Sequence, residues 1–173
     1  RYLYFSALLA PAYFLAACSE ELDIQPKTAT MVLTGTDSKA WQLVSYRYAF
    51  DEPEIAGIDT LDWVDYNDIP TCAVDDVWIF YRQNKQVDIT EGPTKCNPEF
   101  DDLIATTSWE VVHATASLYL GGGEPFRLLQ LNENRLQIGI RDTLAAPVIF
   151  RDRFMSAFIE FPGYFLYDFV PQN

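Results

Sequence analysis

The stretch VWIFYRQNKQVDIT, residues 77–90, decides the fold class. Val77–Tyr81 is a dense run of β-branched and aromatic residues, residues 83–86 are polar turn formers, and residues 87–90 again favour a strand. Two such runs separated by a polar turn predict an antiparallel hairpin. The hairpin indicates a β protein, and the chain on either side of it supports the same fold class.

Short β-forming runs continue on both sides of this hairpin. They cover residues 41–48, 109–114, 117–120, 126–131, 136–140, 148–150, 156–161 and 165–170. Turn residues lie at 121–123 (three glycines), at 132–134 (Asn-Glu-Asn) and at Pro162-Gly163. Only residues 99–106 could form a helical turn, and residues 50–71 form a long acidic loop with a broken strand. We therefore predict an all-β fold, an antiparallel barrel of about eight strands or a closed sandwich.

The first 17 residues predict a cleaved export signal. Arg1 is followed by an apolar run that ends in Leu15-Ala16-Ala17-Cys18. The run is shorter than the roughly 20 residues of a transmembrane helix, and its charged start and small final residues are typical of a secretory signal peptide. The last four residues resemble the lipobox read by lipoprotein signal peptidase, which implies a diacylglyceryl thioether on Cys18. A buried apolar helix with an incidental cysteine is the alternative.

This assignment divides the chain into three parts. Residues 1–17 are the signal peptide, residues 18–32 are the lipidated cysteine and a polar tether, and residues 33–173 are one β domain. The acidic residues in 19–23 resemble the signal that sends lipoproteins to the outer face of the outer membrane in Bacteroidota, although a solvated linker is the plain alternative. We expect an outer-membrane-anchored lipoprotein, at the cell surface or on the periplasmic face.

The charge of the chain excludes one class of partner. The net charge at pH 7 is -13, and removal of Arg1 reduces the 12 cations to 11 against 25 acids, or -14. Nucleic acids and anionic membranes bind proteins through Lys and Arg side chains. We therefore expect no nucleic-acid partner, and contact with the membrane through the lipid on Cys18.

Two cysteines remain once Cys18 carries lipid, Cys72 and Cys96. In an oxidising compartment such a pair usually joins, and a loop of about 24 residues would contribute roughly 3 kcal/mol in the chain-entropy model. The sequence has no CxxC motif and no Cys/His cluster, which argues against zinc or redox chemistry. We predict a Cys72–Cys96 disulfide.

Several motifs together resemble one family. Residues 33–45, LTGTDSKAWQLVS, are similar to the opening of the lipocalin-like lipoproteins of Bacteroidota, where a Leu-Thr-Gly start leads to a Lys-x-Trp strand. The family places one cysteine before an Asp-Asp-x-Φ-x-Phe strand and another after the next hairpin, as in Cys72, DDVWIF at 75–80 and TKC at 94–96. A tryptophan strand at 108–110 and a hairpin at 128–140 complete the match.

This resemblance covers residues 33–142 and departs from the family in two places. Residues 51–70 are longer than the usual early hairpin, and residues 143–173 lie beyond the match. True lipocalins differ as well, because they open with Gly-x-Trp, and Lys39-Ala40-Trp41 lacks that glycine. The resemblance implies a lipocalin-like barrel and an envelope location. Most members of the family have no assigned activity, so it implies no reaction.

The sequence offers little for catalysis. His113 is the only histidine, and no serine lies in a nucleophile elbow. With 25 acids, carboxylate pairs such as Asp75 and Asp76 arise by chance, and neighbours on a strand point to opposite faces. We expect no enzyme and no catalytic residue.

The long acidic loop carries a carboxylate at every third residue, at Asp59, Asp62, Asp65 and Asp68. Calcium takes about six to eight oxygen ligands from flexible loops, so these aspartates are a candidate calcium site. The glycine and closing glutamate of an EF-hand are missing, and a rim loop kept soluble by charge is the alternative. We expect no other cofactor.

Aromatic residues are the remaining candidates for ligand binding. Trp41, Trp78 and Trp109 could line an apolar pocket or could fill the barrel core. Trp63 and Tyr66, set among acids in the long loop, could stack on a sugar or a partner surface. We expect a non-enzymatic binding or accessory lipoprotein that takes a small apolar ligand. The alternatives are an interaction module for another envelope protein and a glycan-binding surface lipoprotein.

Overall fold

The computed structural model describes residues 28–52, 59–67, 69–99, 101–150 and 153–172, with the backbone alone for residues 145–150 and 153–159. The predicted signal peptide, Cys18 and most of the predicted tether lie outside these residues. In the part of the chain that is described, no helix is long and apolar enough to cross a membrane.

Nine strands and two short helices make up the described chain. In chain order the elements are α1 (Ala29–Thr34), β1 (Ser38–Phe50), β2 (Thr60–Asp62), α2 (Trp63–Tyr66), a 3-10 turn (Thr71–Ala73), β3 (Val77–Tyr81), β4 (Gln86–Thr90), β5 (Leu103–Val112), a second 3-10 turn (His113–Thr115), β6 (Ser117–Leu120), β7 (Phe126–Asn132), β8 (Arg135–Phe150) and β9 (Arg153–Pro171).

All strand pairs are antiparallel, and the sheet closes on itself. The strand order is β2-β1-β3-β4-β5-β6-β7-β8-β9, and β1 also pairs with β9 from Trp41–Pro171 to Phe50–Gly163. Of the nine described strands, eight therefore form the ring, and β2 is added to the far end of β1. The prediction of an all-β antiparallel barrel of about eight strands is confirmed.

The barrel interior is a packed apolar core. Along β8, Leu136 and Ile138 are fully buried, while Gln137 between them donates to Asp168 on the outer face. Alternate residues of the strand therefore point into the barrel and fill it, which is the period of two that predicts strands in the sequence. The buried cluster consists of Leu33, Trp41, Leu43, Trp78, Phe80, Val87, Trp109, Leu118, Leu136, Ile138 and Phe169.

Most of the predicted turns are confirmed. The hairpin at 77–90 is β3–β4, the three glycines connect β6 to β7, and Asn-Glu-Asn connects β7 to β8. The predicted helical turn at 99–106 is wrong for residues 103–106, which are the start of β5, with Leu103 paired to Thr90. Within residues 50–71, the loop contains β2 and α2.

One predicted turn is wrong, because β9 passes straight through Pro162 and Gly163. A Cβ atom at Gly163 would lie 2.2 Å from the carbonyl oxygen of Ala49 and 2.8 Å from the ring of Tyr48. The glycine therefore allows the close approach of β1 and β9 and does not make a turn. β8 and β9 pair with each other from Phe150–Arg153 onward instead.

α1 covers one end of the barrel. Leu33 is fully buried, and the indole N–H of Trp41 donates to the Leu33 carbonyl oxygen at 2.8 Å. Gly35 ends the helix with φ +62°, a conformation that favours glycine. Residues 29–32, which the sequence analysis assigns to the tether, are helical because these contacts hold the segment against the barrel.

β8 and β9 continue beyond the ring as a two-stranded ribbon, here called the arm. It comprises residues 143–150 and 153–162, paired from Thr143–Pro162 to Phe150–Arg153. The neighbouring strands stop earlier, since β1 follows β9 only to Gly163 and β7 follows β8 only to Gly139. At about 3.3 Å per residue, the arm spans about 26 Å.

Candidate binding sites

The three tryptophans expected to line an interior pocket belong to the core. Trp41, Trp78 and Trp109 have 0 %, 9 % and 3 % of their surface exposed. The ring of Trp78 lies 4.9 Å from that of Phe169 between centroids, and the indole N–H of Trp109 donates to the Tyr81 carbonyl oxygen at 3.0 Å. These side chains fill the barrel, which is the role that the sequence left open as the alternative.

A second aromatic cluster lies further along β1, away from α1. Tyr46 stacks on Tyr167 at 4.6 Å and an interplanar angle of 22°, and Phe165 lies 4.9 Å from Tyr48 in an edge-to-face arrangement. Burial, followed by the hydrogen bond with Tyr46, raises the pKa of Tyr167 above its ordinary value. The cluster therefore forms a largely apolar base of ring contacts on which α2 can pack.

Tyr48 joins this cluster to the base of the arm. Its hydroxyl donates to the Phe161 carbonyl oxygen at 2.6 Å and accepts from the Leu144 N–H at 3.2 Å. Burial raises the pKa of this phenol, because the charged form would lose its solvation. The hydroxyl thus stays neutral and bonds to both strands at the point where they leave the ring.

α2 carries the two aromatic residues that the sequence analysis singled out in the acidic loop. Trp63 packs edge-on against Phe165 at 4.7 Å and lies 6.2 Å from Tyr48. Tyr66 lies 5.7 Å from Trp63 with the rings 33° apart, and 54 % of Tyr66 is exposed. The structure therefore brings the pair together, with the inner ring fixed on the barrel and the outer ring facing solvent.

One of the four aspartates of this loop has a structural role in the described residues. Asp62 caps α2, because its carboxylate accepts from the N–H groups of Val64 at 2.9 Å and Asp65 at 3.2 Å. Asp59 and Asp65 are exposed, and Asp68 lies outside the described residues. Within the described ranges, no group of three or more His, Cys, Asp or Glu side chains could hold a metal ion. Calcium binding stays a prediction.

The predicted disulfide is present. Cys72 and Cys96 are bonded, with their Cα atoms 5.2 Å apart, and join the 3-10 turn before β3 to the segment after β4. Beside them, Asp76 is partly buried, and this desolvation, followed by the charges of Asp75 and Glu91, raises its pKa to about 6. Ionisation of Asp76 is therefore disfavoured both by desolvation and by its acidic neighbours.

A basic cluster lies on the outer face where β1, β9 and β8 meet. Asp168, only 4 % exposed, accepts from Arg47 Nη2 at 2.5 Å, from Arg135 Nη2 at 2.6 Å and from Gln137 at 2.9 Å. Burial alone would raise the pKa of Asp168, but the hydrogen bonds and charges of Arg135 and Arg47 outweigh it and lower that pKa. The carboxylate is charged at neutral pH and holds both guanidinium groups in place.

Comparison with protein-family models, with curated proteins and with solved structures finds no match. Any function must therefore be argued from the geometry of these surfaces. The resemblance to lipocalin-like lipoproteins stays a prediction.

The basic cluster is the feature that sequence reasoning missed. Arg47 and Asp168 are separated by 121 residues, so only the β1–β9 register brings them together. The available signal was Asp168 itself, a lone acid within the apolar run 165–170.

His113 is exposed at the start of the second 3-10 turn.

Proposed function

We propose that this protein is a non-enzymatic envelope lipoprotein whose lipocalin-like barrel presents a glycan-binding surface at Trp63 and Tyr66. The observation that carries the proposal is this aromatic pair, with one ring anchored on the barrel and the other open to solvent. An exposed ring gains by covering apolar surface, and the C–H face of a sugar ring supplies it.

The surroundings of the pair suit a polyhydroxylated ligand. Asp65 and Asn67 lie on the same turn and are exposed, so a carboxylate and an amide are available to sugar hydroxyl groups. The amide of Asn67 donates to the Trp63 carbonyl oxygen at 3.1 Å, which fixes its side chain next to the ring. The platform is therefore largely preformed, and little conformational entropy is lost on binding.

Lipid attachment would place this surface next to a membrane. A diacylglyceryl group on Cys18 and a tether of roughly ten residues would hold the barrel near the outer membrane, where glycans are abundant. The acidic surface of the chain keeps the barrel in solution beside that membrane, since like charges repel. On the cell surface the platform would meet external glycans, and on the periplasmic face it would meet those of the envelope.

A small apolar ligand inside the barrel is less favoured by the geometry. The interior aromatic residues expected to line its pocket are packed against one another and are nearly fully buried. Native mass spectrometry of the secreted protein tests this option, because a bound molecule of a few hundred daltons would be seen directly.

An interaction module for another envelope protein is the second candidate, and the arm favours it. Within the described residues the arm pairs with no further strand, so both of its edges can accept a partner strand. Cross-linking in cells, with and without residues 145–160, would identify such a partner.

The test of glycan binding uses the full chain with Cys18→Ser, which releases the protein from lipid. We expect binding on a glycan microarray, and Tyr66→Ala should weaken the affinity for the best oligosaccharide at least tenfold. Leu129→Ala is the matched control, because Leu129 is also exposed but lies on β7. Equal affinities of Tyr66→Ala and the parent protein would refute the proposal, and so would the absence of binding to any glycan.

A further inference from the structure

The basic cluster of Arg47, Asp168 and Arg135 lies in an open cleft of about 500 Å³ on the outside of the barrel. That volume falls in the range of small-molecule sites. The cleft crosses the line where β1 and β9 close the ring, and β8 contributes Arg135. Three adjacent strands of a rigid sheet therefore fix the positions of its charged groups.

The cluster has an excess of positive charge. Two guanidinium groups share one carboxylate, which gives the cleft a local charge of about +1 in a chain whose net charge is -13. Asp168 is buried, while the side chains of Arg47 and Arg135 are 31 % and 45 % exposed. The negative charge is thus enclosed, and the positive charge reaches solvent.

The arginines also retain unused donors. Each guanidinium carries five N–H groups, and together Arg47 and Arg135 give only three nitrogens to Asp168. Arg47 Nε is buried without a hydrogen-bond partner among the described residues. Because both guanidinium groups are partly exposed, their remaining N–H groups can donate to an acceptor bound in this cleft.

Apolar side chains flank the charged groups. A β-bulge between Leu43 and Ser45 displaces Val44 outward, leaving it 52 % exposed, and Val170 beside it is 38 % exposed. Both valines line the cleft with the arginines. The wall therefore combines a fixed cationic fork with an apolar surface.

We propose that this cleft binds the oxyanion of an amphiphile, a phosphate or carboxylate group on an alkyl chain. The two arginines held by Asp168 pair with the oxyanion, because a guanidinium matches the geometry of both groups. The alkyl chain lies on Val44 and Val170. This site is separate from the glycan platform and does not depend on it.

The same chemistry can come from a free amphiphile or from a membrane lipid, and the experiment separates them. Decyl phosphate, below its micelle concentration, is titrated into the ¹⁵N-labelled Cys18→Ser chain and followed by NMR. In a second arm, sedimentation is measured with vesicles of phosphatidylcholine containing or lacking phosphatidic acid. Resonance shifts with decyl phosphate, without sedimentation by either kind of vesicle, assign the site to a free amphiphile. Resonance shifts together with sedimentation only by the vesicles that contain phosphatidic acid assign it to a lipid headgroup.

Two variants and a control make the test specific. Val44→Asp adds a carboxylate to the cleft at an exposed position, and Arg135→Gln removes one cation, so each should weaken binding at least tenfold. Ile104→Asp is the control, since Ile104 is equally exposed but lies on β5. If the Arg135→Gln variant does not fold, Val44→Asp still tests the site, because residue 44 is exposed. The proposal is overturned if neither probe shifts resonances or sediments the protein, or if Val44→Asp and Ile104→Asp bind alike.

Discussion

Asp168→Asn should lower the free energy of unfolding by about 2–4 kcal/mol at pH 7. The carboxylate receives hydrogen bonds from Arg47, Arg135 and Gln137, and an amide of the same shape keeps one acceptor but loses the charge. Hydrogen bonds to a charged group contribute about 1.5–3 kcal/mol each. Both arginines are partly exposed, so we assign only about 1 kcal/mol to each ion pair. The repulsion between the two guanidinium groups, once the carboxylate is gone, accounts for the rest of the range.

The pH dependence of this difference is a second, independent readout. The pKa of Asp168 is lower in the folded protein than its ordinary value of 3.8. The stabilisation is therefore complete above about pH 5 and is lost as the pH falls through the folded-state pKa. The gap between the parent protein and Asp168→Asn should shrink as the pH is lowered from 7 to 3.

Urea unfolding followed by tryptophan fluorescence measures both quantities, since Trp41, Trp78 and Trp109 lie in the core. Glu124→Gln, an exposed change in the loop between β6 and β7, should alter stability by less than about 0.5 kcal/mol. A loss below 1 kcal/mol for Asp168→Asn at pH 7, or a loss that is the same at pH 3 and pH 7, would refute the reasoning.

Three further predictions concern single side chains. Asp76→Asn should stabilise the protein by about 1 kcal/mol at pH 8, because the pKa of Asp76 is raised to about 6 and its ionisation therefore costs stability above that pH. In urea titrations, this difference in unfolding free energy should disappear as the pH is lowered from 6 to 4. Gly163→Ala should lower stability by about 1–3 kcal/mol or more, because its Cβ would overlap the Ala49 carbonyl oxygen, and a thermal unfolding shift of under 2 °C would contradict this. Tyr48→Phe should cost about 1–3 kcal/mol and speed hydrogen exchange at the Leu144 amide, which an unchanged exchange rate would disprove.

The fold was accessible from the sequence because its signals are local. The run at Val77–Tyr81, its polar turn and the returning strand lie within 14 residues, and the Asn-Glu-Asn turn lies between two adjacent strands. The disulfide could be predicted because the expected lipidation of Cys18 leaves two cysteines and the sequence contains no competing ligand set. Such features depend on neighbouring residues and on composition, and both are visible in one sequence.

The features that failed or were missed depend on register. Pro162-Gly163 has the composition of a turn, and only the packing of Tyr48 against β9 shows why glycine is needed inside a strand. The cluster around Asp168 requires β1, β8 and β9 to be aligned residue by residue, which no local pattern specifies.

The pairing of β1 with β9 also sets the order of events in biosynthesis. The ribosome produces β1 early, but the strand that completes its hydrogen bonds emerges more than 100 residues later, which at about 5–20 residues per second is a delay of several seconds. Until then the ring is open and the edges of β1 and β8 are unprotected. Closure of the barrel is therefore a long-range step, and before it occurs the open edges of β1 and β8 can pair with a neighbouring chain.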